Sequence, residues 1–549
     1  MSRNLILLSA IFMISCRVNP RATIYINGSI WTGVSDAPRE QALAVEGERI
    51  IAVGSNREVE ALKKQGARVV DLEGHFVVPG FIDSHTHLMS GGFQLSSLDL
   101  RDAPDPESFI AAIEDFATGV PAGRWILEGT WDHEKWGGEL PHRSWIDSVT
   151  SDIPVFITRL DGHMGLANSR ALQLAGITSG TPDPSGGLIV READTGEPTG
   201  ILKDEAMSLV YGVVPEFSER ERDEALERAM NHALSHGVTQ VHDMCSWKDL
   251  GTYLRAQKEG RLKLRISAYV WYTNWKRLSE YIGKNGPGNE WLRWNGIKAM
   301  VDGSLGSRTA WMYDPYKDDP STTGLIVAPD TSQFKEMIRE ADSARIQVAT
   351  HAIGDRANDW LLRLYKDVAE KNGPRDRRFR IEHAQHLSEE AFHVFDGLHV
   401  VASMQPYHII DDGRWAEKRL DSQVLARSYP LGFLLDAHVN LALGSDWTVA
   451  PISPIQGIYA AVTRQTLDGK HPHGWFPEQS ITVEGALRAY TSGGAYAAFQ
   501  EENLGTLEVG KLADFVVLSE DLLEIDPVTI PSVEVVRTVV GGQNRFVWR

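Results

Sequence analysis

The segment Val77-Val78-Pro79-Gly80-Phe81-Ile82-Asp83-Ser84-His85-Thr86-His87 joins an apolar, strand-forming run to two histidines. His85 and His87 are two residues apart, and side chains at that spacing on a strand point to the same face. Both imidazoles can therefore reach one cation. A strand can also carry two surface histidines, so the pair alone leaves both interpretations open.

Further apolar runs follow downstream, alternating with charged amphipathic segments such as 219–236 and 332–344. Strands that alternate with helices predict parallel βαβ units. The eight predicted strands end near His85, His242, Val270, Val301, His351, His383, Ser403 and Asp446. We therefore predict the α/β fold class, as a (β/α)8 TIM barrel, in which about 250 residues allow roughly 31 per unit.

The spacing of these strands also predicts two additions to the barrel. His85 and His242 lie 157 positions apart, about five times the length of one βα unit. A large insertion at about 89–211 is therefore predicted after the first strand. It emerges at the carboxyl ends of the strands, where it could roof the active site. Short alternating runs occur near both chain ends, for example Ile24-Tyr25-Ile26 and Phe515-Val516-Val517-Leu518. They predict a small β-sandwich built from 22–78 and 505–549, with the barrel spanning 79–504.

Ligand-type side chains recur at the predicted strand ends. His351 and His383 each close a short β-prone run, and Asp446 closes the eighth. With His85 and His87 they converge on one point, and neutral imidazole and carboxylate suit zinc and similar divalent ions. Each histidine taken singly could instead be a hydrogen-bonded core residue.

Lys298 lies inside the fourth predicted strand between apolar residues. Burying an ammonium is costly unless the group is paired or neutralised. A lysine directed at a metal site should therefore lose its charge, and the alternative is a buried salt bridge, for example to Asp302. Asp302, Asp355 and Glu382 flank the predicted ligands and could orient imidazoles or close loops.

Composition limits the class of partner. The 549 residues contain 55 Lys plus Arg against 74 Asp plus Glu, a formal charge of -19, which disfavours nucleic acid as a partner. Only two cysteines are present, so a disulfide framework and a cysteine-based zinc ribbon are excluded. A metal must use His, carboxylate or Lys chemistry.

The N-terminus predicts export. A run of apolar or small residues, 5–14, precedes Ser15 and Cys16. It is too short to span a bilayer but fits a signal peptide, and Cys16 fits a bacterial lipobox in which that cysteine becomes the lipidated first mature residue. We expect a lipoprotein of the bacterial cell envelope, in contact with a membrane only through this anchor. The alternative is an ordinary signal peptide, which would give a soluble secreted or periplasmic protein.

The order of these residues resembles the amidohydrolase superfamily. The segments 78–87, His351-Ala352-Ile353-Gly354-Asp355 and Gly510-Lys511-Leu512-Ala513-Asp514-Phe515-Val516-Val517-Leu518 are similar to its amidohydrolase-3 branch, which includes proteins like N-substituted formamide deformylase. The resemblance implies one or two divalent metal ions, with zinc the expected metal. If two are bound, it implies that Lys298 is carboxylated and bridges them, that His85, His87 and Asp446 hold one, and that His351 and His383 hold the other.

The resemblance implies hydrolysis of a non-peptide C–N bond in an amide or an N-acyl or N-formyl amine, with Asp446 moving the proton. One alternative is a mononuclear zinc deaminase, which Gly354 disfavours because that pattern places Glu there. The other is a catalytically silent, lipid-anchored binding or regulatory protein. Candidate substrate-binding residues are His163, Trp271 and Arg308. Nearby aromatic residues favour a small amide-like substrate with an apolar or aromatic group, and the alternative is that these indoles pack the insertion onto the barrel. The sequence leaves a homo-oligomer open.

Overall fold

The structure is a computed structural model, and it describes residues 22–35, 39–63, 66–121, 123–150, 152–328 and 330–548. Cys16 and the predicted signal peptide lie outside these residues, so the lipid anchor stays a prediction. Within the described ranges, every helix falls short of the length or the apolar character that a bilayer crossing requires.

Strands and helices alternate through most of the chain. The strands are β1 Thr23–Ile26, β2 Ser29–Trp31, β3 Arg39–Glu40, β4 Ala42–Glu46, β5 Arg49–Gly54, β6 Arg68–Asp71, β7 Phe76–Pro79, β8 Phe81–Thr86, β9 Ile126–Trp131, β10 Val155–Arg159, β11 Met164–Ala167, β12 Gly187–Arg191, β13 Pro198–Asp204, β14 Val238–Cys245, β15 Arg265–Trp271, β16 Leu292–Met300, β17 Gln347–Ala352, β18 Arg380–His383, β19 Val401–Met404, β20 Leu441–Leu443, β21 Phe515–Leu518, β22 Val535–Val540 and β23 Gln543–Val547.

The α-helices are α1 Asn56–Glu60, α2 Leu88–Gln94, α3 Pro106–Thr118, α4 Arg143–Thr150, α5 Ser169–Ala175, α6 Ser208–Tyr211, α7 Glu219–Ser235, α8 Trp247–Lys258, α9 Trp275–Asn285, α10 Thr331–Ser343, α11 Asp355–Asn372, α12 Glu389–Gly397, α13 Tyr407–Asp412, α14 Ser422–Leu425, α15 Leu431–Asp436, α16 Pro454–Thr463, α17 Val483–Arg488 and α18 Gly494–Ala497. Short 3-10 segments are His133–Trp136, Glu205–Met207, Tyr272–Asn274, Ala416–Lys418, Pro477–Gln479 and Pro527–Ser532, and one π-helical turn is Ala489–Gly493.

The central sheet is a parallel barrel in the order β8-β14-β15-β16-β17-β18-β19-β20. A parallel bridge between Thr86 and Trp447 joins the ends of the first and last strands, so the sheet nearly closes. All eight predicted strand ends lie within three residues of the observed ends. The predicted barrel fold is therefore confirmed.

Helix α7 shows why the outer layer packs as it does. Ser218 and Glu221 form a capping box that starts the helix. The buried positions recur three and four residues apart and include Ala225, Leu226 and Ala229, which gives one apolar face. A Cβ at Gly92 of α2 would lie 2.1 Å from the Ala225 carbonyl oxygen, so only glycine allows the two helices to approach this closely.

The chain between β8 and β14 forms a separate layer over the barrel. Its five-stranded sheet has the order β12-β13-β11-β10-β9. Phe109, Ile113, Trp131 and Ile157 are buried in a core of its own. An insertion after the first barrel strand is thus confirmed, while the limits of about 89–211 stay a prediction.

Both chain ends build a second β layer. One sheet, β5-β4-β1-β6, comes from the N-terminal segment, and the other, β23-β22-β21-β7-β2-β3, contains strands from both ends. β21 pairs antiparallel with β7, with Val517 opposite Val77. Tyr25 and Leu43 of the first sheet share a buried core with Phe515 of the second. The predicted β-sandwich from both ends is confirmed.

Candidate metal centre

Three predicted ligands meet at one end of the barrel. His85 lies in β8, His87 directly follows it, and Asp446 lies just beyond β20. One ligand atom from each of the three lies within 4.8 Å of the others. A set of this size can surround a single cation.

The other three predicted residues adjoin this set. The Lys298 Nζ lies 3.1 Å from the His85 Nε2. The ring of His383 is 4.9 Å from that of His85 and 4.4 Å from that of His351, measured between ring centres. The six side chains therefore lie near one another at the carboxyl ends of β8, β16, β17, β18 and β20, and their role as metal ligands stays a prediction.

The alternative partner for Lys298 is excluded by contacts of Asp302. That carboxylate accepts hydrogen bonds from the backbone N–H groups of Ile353 at 3.0 Å, Gly354 at 2.9 Å and Trp311 at 2.8 Å. Asp302 thus closes the loop that follows β17. Among the described residues, Lys298 forms no salt bridge with a carboxylate.

Hydrogen bonds fix the orientation of the buried imidazoles. His85 bonds through Nδ1 to Glu382 at 2.5 Å, and His383 bonds through Nδ1 to the Gln405 side-chain oxygen at 2.7 Å. His351 donates from Nε2 to the Gly303 carbonyl at 3.0 Å. The other ring nitrogens are the Nε2 of His383, the Nδ1 of His351 and the Nε2 of His85, the last of which contacts the Lys298 Nζ. A histidine that is fixed by a hydrogen bond through one nitrogen can bind a metal through the other.

Burial sets the protonation of these groups. Burial, and after it the charge of Lys298, lowers the pKa of His85 to about 4. Burial also holds the pKa of His351 and of His383 well below the ordinary value and lowers the pKa of Lys298 to about 8. Neutral imidazoles are the form that binds metals.

Asp446 provides the negative charge. Burial raises the pKa of Asp446, but the imidazoles of His85, His408 and His87 lower it by more, so the carboxyl is ionised. Its Oδ1 is buried without a hydrogen-bond partner, although it lies 3.2 Å from the His87 Nε2 and 3.5 Å from the His85 Nε2. A buried, unpaired carboxylate oxygen facing two imidazole nitrogens fits a divalent cation.

Sequence reasoning missed His408 in α13. Its Nε2 lies 3.7 Å from the Asp446 Oδ2. The signal for it was position, because His408 follows the seventh barrel strand, and every loop at the carboxyl end of a barrel strand faces the site.

A cavity of about 590 Å³ opens over this centre. Its walls come from barrel residues such as His383 and Asp446 and from insertion residues such as Glu128 and Arg159. The insertion therefore contributes to the wall of the cavity over the barrel.

The three predicted substrate-binding residues differ in placement. His163 lines the cavity, bonds through Nδ1 to Asp204 at 2.6 Å, and lies 5.1 Å from the His351 ring. Burial lowers the pKa of His163, but the hydrogen bond and charge of Asp204 raise it by more. Trp271 also lines the cavity and is 37% exposed.

Arg308 is placed elsewhere. Its guanidinium donates to both carboxylate oxygens of Asp318, at 3.2 and 2.9 Å, and it is not among the described residues that line the cavity. The sequence prediction that Arg308 anchors a substrate is not supported by this placement, because Asp318 already occupies the guanidinium.

Comparison with known proteins gives a consistent result. The profile of a family described as the amidohydrolase family matches residues 68–546. Protein LONG AFTER FAR-RED 3 from Arabidopsis thaliana is 44% identical, covering 95% of this chain and 91% of its own. N-substituted formamide deformylase from Arthrobacter pascens is 30% identical, covering 96% and 98%. The crystal structure of an uncharacterized metal-dependent hydrolase from Pyrococcus horikoshii OT3 has a TM-score of 0.74 at 30% identity, covering 92% of this chain and 99% of that one.

Proposed function

The chain belongs to the amidohydrolase family, and from that membership we propose that it hydrolyses non-peptide carbon–nitrogen bonds in amides or N-acyl amines. The family match and the similarity to the Pyrococcus hydrolase support a metal-dependent hydrolase. The relative named N-substituted formamide deformylase supports the proposed substrate class, because its name specifies an N-acyl substrate.

One observation carries the proposal. His85, His87 and Asp446 present their ligand atoms within 4.8 Å of one another, and His87 and Asp446 line the cavity. A divalent ion held there, which we take to be zinc, would polarise a substrate carbonyl and acidify water.

The side chains of the protein supply the remaining steps. Asp446 accepts the proton of the attacking water as the new carbon–oxygen bond forms. It then returns this proton to the departing nitrogen as the carbon–nitrogen bond breaks. His163 faces the same cavity and can donate a hydrogen bond to the substrate.

We also propose a modified Lys298. The amine is buried beside His85, and no carboxylate of the described chain pairs with it. Carboxylation by carbon dioxide would replace the buried positive charge by a negative one and create a ligand able to bridge two ions. His351 and His383 would then complete a second metal position.

The test combines metal analysis of the purified protein with a hydrolysis screen of N-formyl and N-acyl amines. We expect bound divalent metal and release of free amine. Lys298→Ala should lower the metal content, and added short carboxylic acids should partly restore it. Full metal loading without turnover of any member of the panel would instead favour the binding-protein alternative.

The predicted lipid anchor on Cys16 is a separate proposal, supported by the lipobox-like sequence alone. Cys16→Ser should move the protein from the membrane fraction to the soluble fraction of the cell envelope. Unchanged fractionation would contradict the anchor.

A further inference from the structure

Glu128 stands on an unusual piece of backbone in the cavity wall. In the pairing of β9 with β10, Glu128 lies opposite Ile157 and Trp131 lies opposite Arg159. Between these two pairs β9 has one residue more than β10, which makes a β-bulge. The residues Glu128, Gly129 and Thr130 have φ angles of 66°, 129° and 51°. Such a bulge changes the direction of a side chain and is frequent beside active sites.

Neighbouring contacts hold this bulge in place. The Leu100 N–H donates to the Gly129 carbonyl at 2.7 Å, and the Thr130 hydroxyl donates to Asp99 at 2.9 Å. A Cβ at Gly129 would lie 2.9 Å from the Ile157 Cβ, so the bulge requires glycine there. Left-handed backbone at non-glycine residues costs free energy and persists only when its surroundings stabilise it.

The bulge places an unpaired carboxylate in the cavity. Glu128 lines the same cavity as His87 and Asp446. Within the part of the chain that the structure describes, its side chain has no hydrogen bond and no salt bridge. Glu128 is half-buried in this wall of the cavity. Among the described residues, no lysine or arginine pairs with this carboxylate, and burying an unpaired carboxylate is costly.

Apart from Asp446 at the metal centre, the other buried acids of the cavity are paired, and Asp412 accepts a hydrogen bond from the Tyr429 hydroxyl. Asp161 forms a salt bridge with Arg159 at 2.7 Å, and Asp204 bonds to His163 at 2.6 Å. Glu205 is exposed at the cavity.

The lysine and arginine side chains that line the cavity are also engaged. Arg159 contacts Asp132 at 3.1 Å as well as Asp161, and Lys298 lies against His85. Away from the metal centre, the half-buried carboxylate of Glu128 is therefore the unpaired charge that this wall of the cavity presents to a ligand.

We propose that Glu128 selects substrates that carry a protonated amine, by pairing with that cation while the amide lies at the metal centre. This proposal rests on the proposed amide hydrolysis and names its substrate class. A charge-assisted hydrogen bond from an ammonium group to a partly buried carboxylate is stronger than one between neutral groups. The pairing would offset the desolvation of Glu128.

The test uses two formanilides of nearly the same shape, 4-(aminomethyl)formanilide and 4-ethylformanilide. The first is cationic at neutral pH and the second is uncharged. We expect the wild-type kcat/KM to favour the cationic member by about tenfold or more, a ratio that corresponds to about 1.4 kcal/mol. In Glu128→Gln this ratio should fall close to one, and Glu205→Gln, the matched exposed carboxylate, should keep it.

Three outcomes would overturn the proposal. These are an equal wild-type rate for both members, a ratio unchanged in Glu128→Gln, and a ratio lost in Glu205→Gln alone. If Glu128 were a general acid, Glu128→Gln would slow both members equally and leave the ratio unchanged.

A binding measurement separates this proposal from the proposed function. Titration calorimetry compares 4-(aminomethyl)aniline with 4-ethylaniline on the metal-loaded protein, so it needs no turnover. Preference for the amine in the wild type and its loss in Glu128→Gln or Glu128→Ala would support the role of Glu128 even if neither formanilide is hydrolysed. The absence of hydrolysis would then count against the reaction, and the absence of binding preference against Glu128.

Discussion

Asp446 combines a special backbone conformation with a special charge. Its φ is 58°, and its N–H donates to the His85 carbonyl at 2.7 Å, so the residue turns back over β8 as the eighth strand ends. The turn brings a carboxylate against His85 and His87.

Replacing Asp446 by Asn tests this role. Asn keeps the size of the side chain but cannot accept the water proton, so we expect kcat/KM to fall by about 10²- to 10⁴-fold. The thermal unfolding midpoint should change little. Asp359→Asn, which alters a carboxylate that bonds Ser388 outside the cavity, is the control. Wild-type turnover by Asp446→Asn would contradict the assignment.

Gln405 fixes His383 and gives a second prediction. Its side-chain oxygen accepts from the His383 Nδ1 at 2.7 Å. Gln405→Leu removes the acceptor, so metal affinity should fall by about 10- to 100-fold, as for other partners of metal-binding histidines. Gln405→Glu restores an acceptor and should recover most of the affinity. Metal titration measures both, and equal affinity in the two variants would exclude an orienting role.

The residues that meet at the site could be predicted from the sequence, but their contacts could not. Glu382 adjoins His383 in the chain, yet its carboxylate bonds His85, 297 positions away. Arg308 was predicted to bind substrate, but its guanidinium donates to the Asp318 carboxylate. Strand-end position follows from local pattern, whereas the partner of a side chain depends on the packing of distant strands.

Strand β18 supports its neighbour β8 through two buried charged side chains. Arg380 and Glu382 alternate with outward residues and both lie wholly inside the barrel. The Arg380 guanidinium donates to Glu382 at 2.8 Å, to the Ser84 carbonyl at 2.6 Å and to the Tyr269 hydroxyl at 3.0 Å. Glu382 then holds His85, so the barrel interior below the site is a charged network rather than an apolar core.

Removing one partner of this network should destabilise the barrel. Arg380→Met leaves Glu382 buried without its cation, which costs about 3–5 kcal/mol in comparable pairs. We expect a lower denaturant midpoint and weaker metal binding. The control is Arg339→Met, in the exposed Arg339–Glu336 pair of α10, where surface screening makes the effect small. Equal midpoints for the two variants would contradict the argument.

Periodicity explains which elements were predictable. The barrel strands are short buried runs between amphipathic helices, so their ends were located to within three residues. The bulge at Glu128 and the left-handed turn at Asp446 carry no such signal. Both conformations are fixed by contacts with residues distant in the chain, the Asp446 N–H with the His85 carbonyl and the Gly129 carbonyl with the Leu100 N–H.

The two ends of the barrel have different surroundings. The carboxyl ends of the strands carry the site, while the β layer from both chain ends contacts the opposite end. Arg265, the first residue of β15, bonds Asp514 at 2.6 and 2.9 Å, and Asp514 also accepts from the Gly541 N–H at 2.8 Å. In barrels of this kind, the face at the carboxyl ends of the strands generally carries the active site, and the opposite face contributes to stability.

Asp514→Ala tests this division. The variant leaves the buried Arg265 without its carboxylate, so the unfolding free energy should fall by about 3–5 kcal/mol. Because the site lies at the other end of the barrel, kcat below the unfolding range should stay near that of the wild type, the reverse of the result expected for Asp446→Asn. Glu508→Ala, which removes a half-exposed carboxylate that pairs with Lys511 in the same C-terminal segment, should change neither quantity. If kcat of Asp514→Ala falls clearly below the wild-type value at a temperature where the variant is still folded, the division is wrong. The loss of the Arg265 contact would then affect the metal centre at the other end of β15.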